Sequence, residues 1–210
     1  MKLYTYFRSS AAYRVRIALN LKELPYEMIS IHLSKDGGQH KKPEYRAINP
    51  QMRVPTLELS NGDRIIQSLA IIEYLDEVFP EPALLPVDAI DRAHVRAVSQ
   101  IIASDIHPLN NLVTLNYLKK LGHDQAAVDQ WYADWVLAGF EAIEPLLKPG
   151  PYAFGSTVSL ADICLVPQIF NARRFKVPLE QFPNILAVEA ACNKLPAFDK
   201  ARPENQPDKE

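Results

Sequence analysis

Three residue pairs stand where a chain could hold an extended, anionic ligand. Ser9-Ser10 falls where an alternating apolar run gives way to a helical one. A helix start carries unpaired N–H groups and about half a positive charge, so it favours an anion. A serine hydroxyl there can donate to a thiolate, or it can act simply as an N-cap. Val54-Pro55 opens a strand after a loop. In the cis form it would turn the Val54 amide and carbonyl outward to pair with a peptide-like ligand; in the trans form it is an ordinary strand start. Gln67-Ser68 opens a second helix, where N–H groups and the Ser68 hydroxyl could hold a carboxylate, again with a simple cap as the competing account. Each pair is weak alone, but their order along the chain points to one edge of a sheet.

The elements that must carry these pairs are legible from periodicity. Residues 3–7 alternate as a strand. Tyr13, Ile17, Leu21 and Leu24 recur at helical spacing, and residues 26–33 return to a β pattern. A polar stretch (34–49) precedes a strand over 54–59. Asn61-Gly62 then predicts a tight hairpin turn, since both residues tolerate positive φ, and 64–66 completes the hairpin. Residues 68–78 are helical. The order is β-α-β, a connecting loop, then β-β-α. Pro80, Pro82 and Pro86 mark a linker. Beyond it the pattern predicts one long helix over 91–120, another over 124–147, a third from 159 to at least 170, and shorter ones near 183–193 and 196–202. The domains expected are α/β over 1–80, a linker over 81–88 and an all-α domain over 89–210, whose last eight residues look like a loose polar tail.

Composition narrows the function. A chain of 210 residues, 48% apolar, can bury a full core. A formal charge of −2, with no basic run interleaved with aromatics, argues against nucleic acid. No signal-type leader or apolar run long enough to span a bilayer is visible, and two cysteines, Cys164 and Cys192, cannot form a disulfide framework. A cytoplasmic protein that does not engage membranes is expected. Both cysteines read as inert core, and the five histidines lack metal-ligand spacing, so no metal is expected. Trp131, Tyr132 and Trp135 read as core packing. Ser159 and Asp162 fit a capping box.

The chain resembles the zeta-class glutathione transferases, the maleylacetoacetate and maleylpyruvate isomerases, over nearly its whole length. The resemblance lies in Tyr6-Phe7-Arg8-Ser9-Ser10 running into Arg14-Val15-Arg16, in Asn49-Pro50 with Val54-Pro55-Thr56-Leu57, and in Gln67-Ser68-Leu69-Ala70. Leu160-Ala161-Asp162 and Arg174-Phe175-Lys176 extend it into the second half. It implies a thioredoxin-like N-terminal domain followed by an all-α domain, and glutathione as cofactor. By the same resemblance Ser9, with Ser10 beside it, activates the thiol, and Val54-Pro55 pairs with the cysteinyl part. Gln67 and Ser68 take the γ-glutamyl end, while His40, His107 and Asn111 approach the glycyl end. Arg8 and Arg174 line the pocket for a cis-enedione carboxylate. A homodimer and a place in the breakdown of aromatic amino acids and aromatic acids are also implied.

Such a substrate isomerises when a thiolate adds to its double bond, the bond rotates and the thiolate leaves. Lowering a thiol pKa from ~8.5 by about two requires roughly 2.7 kcal/mol. A helix start (about 0.3–1 kcal/mol) and a hydrogen bond to a charged group (about 1.5–3 kcal/mol) suffice without a general base. Two departures matter. Ala11 replaces the cysteine usual in the family, which puts thiol-dependent side reactions in doubt. Leu112-Val113 lacks the extra arginines of some maleylpyruvate isomerases, which favours maleylacetoacetate. A general conjugating transferase and a non-catalytic interaction module of the same fold are the competing readings.

Overall fold

A computed structural model describes the whole chain, Met1–Glu210, as two compact units: Met1–Ala83 with Lys194–Glu210, and Leu84–Asn193.

The first unit is built on a four-stranded sheet of order β2-β1-β3-β4, with β1 Lys2–Thr5, β2 Glu27–Ser30, β3 Thr56–Glu58 and β4 Arg64–Ile66. β1 pairs in parallel with β2 and antiparallel with β3, and β3 runs antiparallel to β4. Being central, β1 is covered on both faces. Leu3 and its partner Leu57 are fully buried on one side, while Tyr4, Tyr6, Tyr45 and Val54 cluster with Ile29 and Ile48. Helix α1 (Ser10–Leu21) packs against α3 (Ser68–Val78). The polar stretch between β2 and β3 is not shapeless. It holds two 3-10 turns and a short helix, α2 (Pro43–Arg46), because Tyr45 and Asn49 tie it down. Both Tyr45 Oη and Asn49 Nδ2 donate to the Arg53 carbonyl, at 2.7 Å each.

The hairpin differs in detail from the sequence expectation. Only Gly62 has positive φ (+90°), and the loop is longer than two residues: Gly62 N–H donates to Leu59 O at 3.0 Å and Leu59 N–H to Asp63 O at 2.8 Å. Asn61 instead accepts from Asp63 N–H through its side chain, at 3.0 Å, an Asx-type contact that replaces the left-handed conformation.

In the second unit, α4 (Ala89–Gln100), α5 (His107–Asn110), α6 (Leu112–Lys120), α7 (Gln125–Ile143), α8 (Leu160–Arg174) and α9 (Pro183–Cys192) surround a core containing Val95, Ile102, Val136, Phe140 and Ile163. The single helix expected over 91–120 is interrupted. A π turn occupies Ile101–Ile106, and Asn111 turns extended (ψ 150°) to cap α6 through Val113 N–H. Gly139 on α7 admits Ile106 here; any side chain at that position would collide with it. Tyr132 is buried and stacks on Phe175 at 3.8 Å, but Trp135 is 40% exposed, so the expected aromatic core is only partly one. Asp162 is fully buried and accepts from Ala153 N–H (2.7 Å), Ser159 N–H (2.8 Å) and Ser159 Oγ (2.8 Å). Both cysteines are buried and unpaired with each other, and burial pushes the Cys192 thiol up.

The last helix, α10 (Pro196–Ala201), and the segment after it pack on the first unit rather than on the helices that precede them. The grouping of 89–210 as one helical domain therefore stops at Asn193. The polar tail is also not loose. Gln206 is buried and donates to Lys200 O and Arg202 O, and Asp208 and Glu210 reach back to β1, β2 and the turn after it. Glu210 pairs with Lys35 and His32, and the Lys35 hydrogen bond, with His32 adding to it, holds its carboxyl below the usual range. A depressed carboxyl stabilises the fold above its unfolded pKa and ceases to as pH falls through the lowered value. Protection of the amides of Gln206, Asp208, Lys209 and Glu210, relative to the unstructured exchange rate at each pH, is thus expected to fall in acid while that of β1 does not; equal protection of the terminal amides across that range would contradict the anchor.

Candidate active site

Each sequence-predicted pair of the first unit lies at an element start. Ser9 is the N-cap of α1: its Oγ accepts from Ala12 N–H at 3.2 Å. Capping uses the oxygen as acceptor and leaves the hydroxyl proton uncommitted, so the two readings of this serine are compatible. Ser9 is half-buried whereas Ser10 is buried, and only the former opens outward. Arg8 is exposed, donates to Tyr6 Oη (2.8 and 3.2 Å) and lies over the Phe7 ring at 5.1 Å.

The Val54-Pro55 bond is cis. Neither main-chain polar group of Val54 joins the hydrogen bonds of the sheet or its turns. At the next site, Gln67 precedes α3 with φ +72°, an uncommon conformation for a residue with a side chain. Its amide does not cap the helix but donates to Gln51 Oε1 at 2.7 Å. Helices α1, α4, α6 and α7 are capped by the preceding side chain, and Glu144 accepts from the first N–H groups of α9. Helix α3 has no such partner. Ser68, buried at its first position, accepts from Arg14 Nη1 at 3.3 Å, which leaves the serine hydroxyl proton to donate elsewhere. His40 is half-buried beside Gly38, whose φ of +98° and lack of a side chain admit the imidazole ring. Burial, with Lys41 second, lowers the His40 pKa, so this ring is neutral near pH 7.

His107, Asn111 and Arg174 belong to the second unit. Asn111 Nδ2 lies 3.2 Å from His107 Nε2, so this pair is brought together. Arg174 is exposed at the end of α8, donates to Asn171 Oδ1 at 3.2 Å and lies over Phe175.

Sequence reasoning assigned no role to Arg14, Arg16 or Gln51. Both arginines are almost wholly buried in an otherwise apolar helix. The available signal was that two cations two residues apart cannot share the solvent face of a helix whose other neighbours are apolar.

Residues 3–83 match the N-terminal domain of glutathione S-transferases and residues 125–191 match the C-terminal domain. The chain belongs to the glutathione S-transferase family. Its likeness to the zeta class extends over the full length. The maleylacetoacetate isomerase of Pseudomonas aeruginosa is 49% identical across 99% of this chain and 98% of its own. A solved holo maleylpyruvate isomerase, described as a bacterial zeta-class glutathione transferase, is 50% identical, with a TM-score of 0.96 and complete coverage of both chains. The maleylacetoacetate isomerase of Methylobacterium extorquens, solved with bound malonate and GSH, is 33% identical with a TM-score of 0.95, also over all of both chains. As in that family, the fold is a small mixed sheet with its helices followed by a helical unit. No group of three His, Cys, Asp or Glu side chains is placed to hold a metal ion, and no helix is long and apolar enough to cross a membrane.

Proposed function

We propose that this glutathione transferase is a glutathione-dependent cis–trans isomerase that converts maleylacetoacetate to fumarylacetoacetate, with maleylpyruvate as the second candidate substrate. The observation that carries the reading is the Ser9 hydroxyl, fixed through its oxygen by Ala12 N–H and free to donate its proton at a helix start. Glutathione, when bound, supplies a sulfur nucleophile that adds to the substrate double bond and later leaves.

The residues present suit that tripeptide. The uncapped start of α3, with Ser68, offers N–H and O–H donors to its γ-glutamyl carboxylate. The unbonded main chain of Val54 offers an amide and a carbonyl to its cysteinyl unit. Ser9 donates to the sulfur and holds it as thiolate at neutral pH. His40, His107 and Asn111 are assigned to the glycyl end. Arg8 and Arg174 are assigned to the carboxylates of the electrophile, which a purely apolar substrate would not need. The lack of arginines at Leu112 and Val113 favours maleylacetoacetate. The same reading takes the enzyme to be cytoplasmic, homodimeric and part of aromatic-acid breakdown, including that of tyrosine.

An ultraviolet assay with both maleyl substrates, run with and without glutathione, tests this. Turnover is expected only with glutathione, whose concentration stays constant. One glutathione consumed per substrate would mean a conjugating transferase. No turnover, together with no retention on immobilised glutathione, would mean a non-catalytic module.

A further inference from the structure

The turn that presents Ser9 is held from behind by a buried cation and by the far end of the chain. Arg16 is fully buried and forms no ion pair, although the Asp208 carboxylate favours its charge from farther off. Its guanidinium donates instead to neutral oxygens: Nε to Ala201 O (3.1 Å), Nη1 to Thr5 Oγ1 (3.1 Å) and Tyr6 O (3.3 Å), and Nη2 to Phe7 O (3.0 Å). Burial lowers its pKa to about 10, which still leaves it charged at neutral pH. The Tyr6 carbonyl that it grips also accepts Ser9 N–H at 3.0 Å, so one oxygen links the cation to the serine.

From the other side, Asp208 Oδ2 accepts Phe7 N–H at 3.1 Å and Ser30 Oγ at 2.9 Å. Phe7 is thus fixed at its carbonyl by Arg16 and at its amide by Asp208, two residues before the serine. Burying an arginine without a carboxylate is costly unless its donors are satisfied. Packing alone would be served by an apolar side chain. What the guanidinium adds is a rigid fork that sets three consecutive oxygens, Thr5 to Phe7, at once.

We infer that Arg16 and Asp208 are positioning residues for Ser9, and that the segment after α10 is a working part of the thiol-activating turn. This rests on the role given to Ser9 above. Neither residue touches glutathione in this account; each acts by fixing where the serine hydroxyl points. A displacement of the order of 1 Å in such a group is enough to lose much of a charge-assisted hydrogen bond.

The test compares full-length wild type with Asp208→Ala, Asp208→Asn, Arg16→Lys and Ser9→Ala, following the ultraviolet absorbance of the bound glutathione thiolate against pH alongside kcat and KM. Asp208→Ala is expected to raise the thiol pKa by about 1 and lower kcat/KM about tenfold, mainly through kcat. Asp208→Asn keeps an oxygen for Phe7 N–H and Ser30 Oγ and is expected to restore both. Arg16→Lys, which cannot span all four oxygens, is expected to resemble Asp208→Ala; if it fails to fold, the Asp208 pair decides. A wild-type thiol pKa in Asp208→Ala, with a raised one in Ser9→Ala, would overturn the inference and leave the role of Ser9 standing. No change in Ser9→Ala would remove that role and the inference with it.

Discussion

Ser9→Ala is expected to lower kcat/KM by about ten- to a hundredfold, the equivalent of the ~1.5–3 kcal/mol that a hydrogen bond to an ionised partner contributes. The substitution also removes the α1 cap, so a stability loss of about 1 kcal/mol accompanies it. Two companions separate these effects. Ser9→Thr retains an acceptor for Ala12 N–H and a proton for the sulfur, and keeps most of the activity. Ser9→Asp caps the helix as well as serine does but brings a negative charge and no proton, so it stays folded and loses at least as much rate as alanine. Steady-state kinetics with urea denaturation of the same preparations reads both quantities. An unchanged rate in Ser9→Ala would transfer thiol activation to Ser10 or to the amides of the first turn of α1.

The largest effect on stability is expected at Asp162. Its carboxylate sits fully buried among the N–H groups of Ala153 and Ser159 and the Ser159 hydroxyl, all donors. Asp162→Ala leaves these donors unpaired, and Asp162→Asn turns an NH2 group toward one of them. Each should cost about 3 kcal/mol or more in urea unfolding. The near-isosteric asparagine is the sharper test, since shape is preserved while acceptor capacity is halved. If Asp162→Asn unfolded within about 1 kcal/mol of wild type, the α8 start would not depend on that charge, and the packing of Leu160 and Ile163 would have to account for it. A loss confined to Ala would point to the same conclusion.

The junctions that carry the candidate site were legible because they are local. Ser9, Gln67-Ser68 and Val54-Pro55 are junction residues, and junctions announce themselves through a change of hydrophobic period and through caps or prolines. The capping question has a different answer at Ser9 and at Gln67. Ser9 caps α1 through its oxygen, whereas Gln67 turns away to Gln51 and leaves α3 uncapped. Neither outcome follows from residue type. The support behind the site was not legible. The spacing of Arg14 and Arg16 shows that both cannot face solvent but not what they hold, because their partners Ser68 and Ala201 lie 54 and 185 residues away.

The same division runs through the fold. By itself the sequence determined the β-α-β and β-β-α order of the first half, the helical character of the second and the Ser159–Asp162 junction. All of these depend on residues within a few positions of one another, where backbone sterics and hydrogen-bond reach decide. Only the tertiary structure decided that the run over 91–120 breaks at a π turn facing Gly139, that Trp135 is exposed beside a buried Tyr132, and that α10 leaves the helical unit to lie on α1. A helical period says that one face will be buried but not against what. That choice is made when distant segments close on each other and each buried polar group must find a partner.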